Sequence, residues 1–390
     1  MEIFFSVGEP SGDQHAARLI RELKRRRPDL EFSGYGGPLM EQAGCRNHFQ
    51  LTNLAIMGFL RVVPLLWTFF SLYRKANRYF REHRPDAVVL VDYPGFNWWI
   101  AGRAKAAGIP VYYYLPPQLW AWASWRVERI RKFIDHVLCG LPFEKDWYSQ
   151  HGIEVEFVGH PFFDEVAERQ LDQPFIDVWK SQKYQNIALL PGSRTQEVKR
   201  HWPILVDAAK RVHAQHSNTR FLVPCYNESH RRFCESQLLG ENNELPIHFF
   251  VDKTSEVIEL AECCMMVSGS VSLEMLARTT PAYVIYHCSW EFYVVANRMI
   301  DCRYMSLPNL IANYPVMPEC ASVGRPDSSV GKMADVINRW LSDPAELDRV
   351  KFEMRRLRDE VMQTGATVRT ADAILRRLDP EGSAGHLEAA

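Results

Sequence analysis

Residues 3–13 read IFFSVGEPSGD, and this stretch gives the first evidence of the fold. Ile3–Val7 is a short apolar run, Gly8–Asp13 is rich in turn-forming residues, and apolar side chains then recur with helical spacing as far as Leu23. A strand, a tight loop and an amphipathic helix in this order begin a βαβ unit. The stretch therefore predicts a parallel sheet with functional loops at the carboxyl ends of its strands.

The same alternation recurs in two series along the 390 residues. Further short apolar runs, typical of strands in a parallel sheet, lie at Ala87–Val91, Val111–Leu115, His136–Leu141, Val155–Val158, Ile187–Leu190, Phe221–Pro224, Ile247–Val251, Met265–Val267 and Ala282–Tyr286. Between the two series, Gly159–Lys183 contains prolines and many charges, which indicates a linker.

The two series predict an α/β protein with two doubly wound domains, at about residues 1–180 and 181–341. Three helical stretches follow within Gly331–Leu378, and a helix within 342–380 is a candidate to pack back on the first domain. Residues 379–390 are small and polar, which predicts a frayed tail. Ligands of open parallel sheets bind outside the carboxyl ends of strands, so we expect the site in the loops that follow them.

The composition excludes several classes of protein. Lys and Arg number 46 against 47 Asp and Glu, and the net charge of −1 argues against nucleic-acid binding. The nine cysteines include no Cys-x-x-Cys pair, which predicts free thiols rather than a disulfide framework or a zinc site. No histidine pairing typical of metal sites occurs, so we expect neither metal nor cofactor. The lack of a signal sequence and of a long apolar run predicts a cytoplasmic location.

Two loops of the first series carry candidate catalytic and binding residues. In Gly8–Asp13, backbone N–H groups at a helix start can hold an anion or a sugar oxygen. Asp92 follows the apolar run AVVLV, where a carboxylate can act as general base on a hydroxyl. The candidate binding side chains are Glu9, Ser11, Asp13 and Asn97. The structural alternative is a tight turn in which the aspartate caps the following segment.

Two loops of the second series suit a nucleotide diphosphate. Pro191–Arg194 combines backbone N–H groups with an always-charged guanidinium, and Ser268–Glu274 opens a helix with small residues. A carboxylate one turn into that helix could accept hydrogen bonds from ribose hydroxyls. The candidate residues are Gly192, Ser193, Arg194, Glu197, Ser268, Gly269, Ser270 and Glu274. An ordinary helix start is the structural alternative for each loop.

Residues 57–84 are both apolar and basic, with six Lys and Arg against the single acid Glu82. An apolar surface rimmed by basic groups is typical of an interfacial helix on anionic lipid, and a core helix with a solvated basic edge is the alternative. The apolar members of this predicted membrane patch are Phe59, Leu60, Val62, Val63, Leu65, Leu66, Trp67, Phe69 and Phe70. Trp120, Trp122 and Trp125 precede a second basic cluster and fit the same membrane face or an aromatic sugar platform.

A series of motifs in this order resembles the lipid-A-disaccharide synthases, an inverting glycosyltransferase family of the GT-B type. The matching stretches, which span about residues 3–312, are Gly8–Asp13, Gly36–Cys45, Ala55–Gly58, Val91–Asn97, Gln118–Trp122, Leu141–Lys145, Phe157–Pro161, Leu189–Val198, Ser268–Glu274 and Met305–Ala312.

The resemblance implies a GT-B fold, with two Rossmann-like doubly wound domains facing across a cleft. It implies the joining of UDP-2,3-diacylglucosamine to 2,3-diacylglucosamine 1-phosphate, which gives the β-1,6-linked lipid A disaccharide 1-phosphate and UDP. Asp92 matches the family's proposed general base, Arg194 an arginine on the nucleotide side, and Asn309 the asparagine of an SLPN motif. The resemblance also implies peripheral contact of the patch with the anionic cytoplasmic face of the inner membrane, and a homodimer is a further candidate assembly.

Three features depart from the family pattern. Gly95 stands where a second acid is frequent, so that Asp92 would act alone, and Thr195 and Gln196 stand where small residues are frequent. Residues 313–325 contain prolines and predict a loop instead of an acidic helical segment, which puts C-terminal packing in doubt. Two alternative functions stay open here: a GT-B enzyme on another UDP-sugar, such as an epimerase, and a non-catalytic membrane-surface binding protein.

Overall fold

The computed structural model describes residues 1–54, 65–238, 245–300 and 302–378, except for the side chains of Phe292 and Val295. Within these ranges the chain forms two compact units. The first comprises Met1–Asp164 and the C-terminal stretch from Gln363, and the second comprises Glu165–Met362. Each unit is built on its own sheet.

The sheet of the first unit is parallel and has the strand order β3-β2-β1-β4-β5-β6-β7. Its strands are β1 (Glu2–Val7), β2 (Glu31–Gly36), β3 (Arg46–Gln50), β4 (Ala87–Val91), β5 (Val111–Tyr114), β6 (His136–Cys139) and β7 (Val155–Phe157). Its helices before the unit boundary are α1 (Pro10–Arg26), α2 (Pro38–Gln42), α3 (Leu66–Glu82), α4 (Pro94–Ala106), α5 (Val127–Phe133), α6 (Pro142–Gln150) and α7 (Pro161–Glu168), which contains that boundary.

The sheet of the second unit is also parallel, with the order β10-β9-β8-β11-β12-β13. Its strands are β8 (Gln185–Leu190), β9 (Thr219–Cys225), β10 (Ile247–Val251), β11 (Cys263–Val267), β12 (Ala282–Cys288) and β13 (Glu319–Val323). Its helices are α8 (Gln173–Lys180), α9 (Thr195–Gln215), α10 (Glu228–Ser236), α11 (Thr254–Leu260), α12 (Ser272–Arg278), α13 (Trp290–Met299), α14 (Leu307–Ala312), α15 (Asp327–Ser342) and α16 (Pro344–Val361). The last helix, α17 (Ala366–Leu378), belongs to the first unit and packs on α1.

Strand β4 shows why the central strands are continuous apolar runs. All its residues are fully buried. Ala87, Val89 and Val91 point into a core shared with α1 and α17, whereas Val88 and Leu90 point into a second core shared with α3 and α4. Alternate side chains of a strand face opposite sides of the sheet, so helices on both faces require apolar residues at every position.

The periodicity of the sequence misses β2, β3 and β13. Strand β2 includes Gly34, whose φ is +153° and where a Cβ would lie 2.0 Å from the Phe5 carbonyl oxygen, so close pairing with β1 requires glycine. Strands β3 and β13 lie at sheet edges, where mixed polar residues are tolerated. The prediction of a loop at residues 313–325 is therefore wrong in part, because β13 pairs with β12 there.

The predicted linker, residues 159–183, contains α7 and α8 instead. Helix α8 packs on α11, and Asp172 just before α8 forms an ion pair of 2.6 Å with Lys253. Residues 165–183 belong to the second unit, so the units divide at 164/165 rather than at 180/181. Of the predicted returning segment 342–380, α16 belongs to the second unit and α17 to the first. The predicted tail lies outside the described residues. In the described ranges, no helix has the length and apolarity needed to cross a membrane.

Candidate active site

The predicted functional loops lie where each sheet reverses its strand order. In the first unit the reversal falls between β1 and β4, and in the second between β8 and β11. Connections leave opposite faces of the sheet at such a reversal and open a crevice at the carboxyl ends of the two strands, where ligands bind. Gly8–Asp13 follows β1 and Asp92 follows β4; Pro191–Arg194 follows β8 and Ser268–Glu274 follows β11.

Asp92 is held in a strained backbone conformation. Its φ is 46° and that of Tyr93 is 48°, so two consecutive residues other than glycine lie in the left-handed region. The Asp92 carbonyl oxygen accepts hydrogen bonds from Asn97 Nδ2 at 2.7 Å and from the Tyr113 hydroxyl at 2.9 Å. Such strain persists only where the surroundings over-determine it, and it concentrates at functional sites. The half-buried Asp92 side chain is thus positioned by its own backbone.

Asn97 is a positioning residue in this structure and not a substrate contact. It is 0% exposed, and its Oδ1 accepts a hydrogen bond of 2.7 Å from the Ser6 hydroxyl. Its Nδ2 also lies 3.2 Å from the Ser6 carbonyl oxygen. Because both ends of the amide are engaged, Asn97 joins β1 to the turn after β4 and leaves no group for a substrate.

The loop after β1 divides into exposed and buried parts. Glu9 is half-buried and Ser11 is exposed at the start of α1. Asp13 is 2% exposed, and its carboxylate accepts hydrogen bonds of 3.0 Å from the N–H groups of residues 37, 39 and 40. Asp13 therefore caps α2, which corrects its prediction both as a substrate ligand and as a cap of its own helix. Gly8 is required because a Cβ there would lie 2.2 Å from the Tyr93 ring.

Glu144 holds a third loop at the carboxyl edge of the first sheet, and sequence reasoning did not select it. Its carboxylate accepts hydrogen bonds from Trp120 Nε1 at 3.0 Å and from the N–H groups of Gly140 and Leu141 at 3.1 and 3.0 Å. Burial raises the pKa of Glu144 to about 7, although these donors favour the charged form. Trp120 is therefore a buried structural residue and not part of an exposed platform.

The loop after β8 presents a cation beside an acid. Gly192 has a φ of +114°, and a Cβ there would lie 2.8 Å from Glu197. The backbone N–H of Arg194 lies 3.3 Å from Glu197 Oε2, and its Nη1 lies 3.0 Å from Oε1. The Arg194 side chain is 52% exposed, and Ser193 is exposed as well. The guanidinium is thus at the surface, paired with Glu197 in the first turn of the helix that Arg194 precedes.

In the loop after β11, exposed residues are flanked by buried ones. Gly269 and Ser270 are exposed, and a Cβ at Gly269 would meet no atom within 4 Å. The Ser268 hydroxyl donates to the Met305 carbonyl oxygen at 2.8 Å. Glu274, predicted to accept from ribose, is 5% exposed, and its Oε1 lies 2.9 Å from Arg278 Nε. Gly269 and Ser270 are therefore the accessible residues of this loop.

Asn309 is brought close to this loop but is not accessible. It is 0% exposed, its Nδ2 donates to the Met317 carbonyl oxygen at 2.8 Å, and its Oδ1 accepts from the Met317 N–H at 2.8 Å. A buried amide with both ends engaged cannot make the direct substrate contact predicted for Asn309.

Helix α3 lies in the apolar and basic segment, for which the sequence predicts either a membrane-interface helix or a core helix. It has both a buried apolar face and exposed aromatic residues. It buries Leu72, Ala76 and Phe80, while Trp67 and Phe70 are 82% and 43% exposed. Leu66 is also exposed, whereas Leu65 is half-buried and Phe69 packs against the Phe96 ring at 5.5 Å. The other predicted patch members, Phe59, Leu60, Val62 and Val63, lie outside the described residues.

The exposed aromatic surface continues onto α4. Tyr73 contacts Trp99 edge to face at 5.5 Å, and Trp99 is 48% exposed. Arg74, Lys75 and Arg78 are exposed on α3 beyond the aromatic residues. Elsewhere in the unit, the Arg126 guanidinium stacks on the exposed Trp122 and Trp125 rings, at 4.4 and 5.3 Å from their centroids.

The histidines at the carboxyl edge of the first sheet serve packing. His15 and His160 meet edge to face at 5.9 Å, and burial lowers the pKa of His15 to about 3 and that of His160 to about 4. Both are neutral at pH 7. Among the residues that the structure describes, no group of three or more His, Cys, Asp or Glu side chains could hold a metal ion.

Sequence comparisons identify relatives over nearly the whole chain. The profile of a family described as lipid-A-disaccharide synthetase matches residues 3–334. A lipid-A-disaccharide synthase of Anaeromyxobacter dehalogenans is 33% identical over 374 residues, which cover 96% of this chain and 97% of the relative. One from Nitrosococcus oceani is 36% identical over 314 residues, covering 80% of this chain and 81% of the relative.

Structural comparisons find the same two-unit fold in distant proteins. A UDP-GlcNAc 2-epimerase from Neisseria meningitidis, solved with UDP-GlcNAc, has a TM-score of 0.68 at 10% identity and covers 96% of this chain and 100% of its own. The calicheamicin glycosyltransferase CalG4 has a TM-score of 0.60 at 14% identity, covering 97% of this chain and 98% of its own. The predicted GT-B class, with two Rossmann-like units, is confirmed.

Proposed function

The chain belongs to the lipid-A-disaccharide synthetase family, and on this premise we propose that its donor is UDP-2,3-diacylglucosamine and its acceptor 2,3-diacylglucosamine 1-phosphate. Family membership makes the chain an enzyme of lipid A biosynthesis, a glycosyltransferase that uses a nucleotide sugar and a sugar acceptor. The proposed products are the β-1,6-linked disaccharide 1-phosphate and UDP.

Asp92 is the proposed general base. Its carboxylate takes the proton of the acceptor 6′-hydroxyl as that oxygen attacks the anomeric carbon in line, and the bond from that carbon to the UDP oxygen breaks. The observation that carries this assignment is the left-handed Asp92–Tyr93 turn at the reversal of the first sheet, held by Asn97 and Tyr113. A base held by its backbone is ready in the right place before the substrate arrives.

The loops after β8 and β11 are the proposed diphosphate site. Negative charge grows on UDP as the bond to the sugar breaks, and donors already oriented toward that charge lower the barrier. Arg194 supplies a cation, and the backbone N–H groups of the exposed Gly269 and Ser270 are the proposed further donors. Arg194 would have to leave Glu197 for the phosphate, an exchange between two anions at an exposed site where ion pairs are weak.

UDP release tests this proposal directly. The enzyme is incubated in EDTA with UDP-2,3-diacylglucosamine, with and without 2,3-diacylglucosamine 1-phosphate. We expect UDP and disaccharide to form in equal amounts and only when the acceptor is present. Release that requires added Mg²⁺ would contradict stabilisation of UDP by protein groups alone. No release under either condition would contradict the proposed substrates.

We further propose that the enzyme works peripherally on the cytoplasmic face of the inner membrane. Leu66, Trp67, Phe70 and Trp99 form an exposed patch, called here the aromatic patch, on helices α3 and α4. Trp and Phe enter the lipid interface, and nearby Lys and Arg are attracted to anionic headgroups. Two acylated substrates would reach the enzyme at this surface. A homodimer stays a prediction from the resemblance.

Replacing Trp67 and Phe70 together by glutamate tests the membrane contact. Phe69 is left intact because it packs on Phe96. In sedimentation with vesicles containing phosphatidylglycerol, we expect the partition coefficient to fall about tenfold or more. The reason is that two aromatic side chains that would be buried in the lipid interface are replaced by charged ones. Trp290→Glu is the matched control, since Trp290 is 63% exposed on the second unit. Equal binding of wild type and double variant would overturn the contact.

A further inference from the structure

One carboxylate in the second unit gathers four hydrogen-bond donors. Glu319, the first residue of β13, accepts from the N–H groups of Met305 and Ser306 at 2.9 and 3.0 Å. It also accepts from the Ser306 hydroxyl at 2.8 Å and from Asn309 Nδ2 at 2.9 Å. Ser306 and Asn309 are both 0% exposed. The four donors belong to residues 305–309, which lie ten or more residues before Glu319 in the chain.

The same network reaches the proposed diphosphate site through a single residue. The peptide N–H of Met305 donates to Glu319, and its carbonyl oxygen accepts from the Ser268 hydroxyl at 2.8 Å. Ser268 is the first residue after β11, directly before the exposed Gly269 and Ser270. A displacement of Met305 would therefore move Ser268 through one hydrogen bond. It would also move the loop that is proposed to bind the nucleotide sugar.

We propose that Glu319 is a positioning residue for the nucleotide-sugar donor, which acts through Met305 on the Ser268 loop. The inference rests on the proposed function of that loop. It gives Asn309 a role as well, because Asn309 ties Glu319 to the backbone of Met317 and so fixes the carboxylate from behind. The motif around Asn309 then supports UDP binding from a buried position, without touching the nucleotide.

The chemistry of the network requires a carboxylate at this position. An ionised carboxylate only accepts hydrogen bonds. Glu319 Oε1 accepts from the Met305 N–H, and Oε2 accepts from the other three donors. The amide of glutamine would put an NH₂ group in place of one of the two oxygens; in place of Oε1, it would meet the Met305 N–H, which cannot accept from it. Glu319→Gln therefore breaks part of the network at nearly constant volume, while Glu319→Asp keeps the chemistry but shortens the reach.

Binding of UDP itself, measured by calorimetry, is the first readout. We expect Glu319→Gln to raise the dissociation constant of UDP and the KM for the UDP-sugar about tenfold, since a hydrogen bond to a charged group is lost behind the loop. The KM for the acceptor should not change. Glu319→Asp should lie between the wild type and Glu319→Gln. A merely structural role would lower the melting temperature and leave the UDP affinity of the folded protein unchanged.

Ser268→Ala probes the other end of the connection without touching Glu319. It should weaken UDP binding severalfold, and the double variant should bind no more weakly than Glu319→Gln alone, because both changes break one pathway. Additive losses would overturn the inference, as would unchanged UDP affinity in Glu319→Gln. Glu353→Gln is the matched control, because this partly exposed residue forms an ion pair with Arg356 on α16.

The two proposals can be told apart by the wild type. If the wild type binds UDP and Glu319→Gln binds it equally well, the role of Glu319 fails and the donor site stands. If the wild type binds no UDP, the donor site itself fails, and the inference about Glu319 falls with it.

Discussion

The two units share one sheet topology but hold their functional loops in different ways. In the first unit, three carboxylates at the carboxyl edge of the sheet are occupied by hydrogen-bond donors of the protein: Asp13 by α2, Glu144 by Trp120 and two backbone N–H groups, and Asp164 by the start of α17. In the second unit, Glu319 is also occupied by protein donors, but the loops after β8 and β11 themselves expose Ser193, Arg194, Gly269 and Ser270.

This difference corresponds to what each half of a glycosyl transfer needs. A general base must be fixed within hydrogen-bond reach of one hydroxyl, and an edge whose carboxylates are occupied by protein donors offers such a position to Asp92, the proposed base. A leaving diphosphate must be bound and then released, so exposed loop residues and an exposed cation are better suited. The comparison therefore predicts different kinetic signatures for variants in the two units.

The largest effect is expected from a pair of variants, one in each unit. Asp92→Ala should lower kcat by about two to four decades and leave UDP affinity unchanged, because the proposed base would meet only the acceptor hydroxyl. Arg194→Ala should lower kcat by about two decades and also weaken UDP binding, because in the proposed site the guanidinium would meet charge on the diphosphate. Turnover is measured as UDP release and affinity by calorimetry.

Two exposed residues of the same types serve as controls for this pair. Asp146→Ala on α6 and Arg232→Ala on α10 should keep wild-type turnover and UDP affinity, since both side chains face solvent. Turnover of Asp92→Ala at the wild-type rate would remove Asp92 as the base. Unchanged UDP affinity in Arg194→Ala would show that the second unit does not grip the diphosphate through this residue.

The central strands could be predicted from the sequence because their burial is two-sided. Ala87–Val91 has apolar residues at every position, and this pattern identifies a strand without knowledge of its neighbours. Strand β2 could not be found in this way, since Gly34 is selected by the approach of the Phe5 backbone. Strand β13 escapes for a different reason: an edge strand next to two prolines has a sequence typical of a loop.

The sequence locates the candidate site, but it does not show which of the site's residues are structural and which are available to a substrate. Asp13 and Asp92 are both aspartates near the ends of strands that flank the same reversal, so the sequence treats them alike. What separates them is α2, whose N–H groups bind Asp13, and Tyr113, which fixes the Asp92 backbone. Those partners come from distant segments. Glu319 escaped for the same reason, because nothing near it in the sequence shows that four donors meet there.

The smallest effect is expected on stability, and it comes from comparing a buried carboxylate of the first unit, Asp164, with an exposed helix cap of the second unit, Asp343. Asp164 is 5% exposed and accepts from the N–H groups of Gly365, Ala366 and Thr367 and from the Thr367 hydroxyl, about 200 residues away in the chain. Asp343 is exposed and caps α16 through Ala345 and Glu346, which follow it directly. If Asp343 is removed, water can bind the N–H groups that it caps. Water cannot reach the buried donors that bind Asp164.

Asp164→Ala should therefore lower the free energy of unfolding by about 2–3 kcal/mol, because a cap is lost and buried donors are left without acceptors. Asp343→Ala should cost about 0.5–1 kcal/mol, as expected of an exposed helix cap. Urea unfolding followed by tryptophan fluorescence and by circular dichroism measures both, and UDP affinity should stay at the wild-type value in each variant. Equal losses in the two variants would mean that the carboxylates of the first unit act as ordinary caps, and that its edge is no more rigid than that of the second.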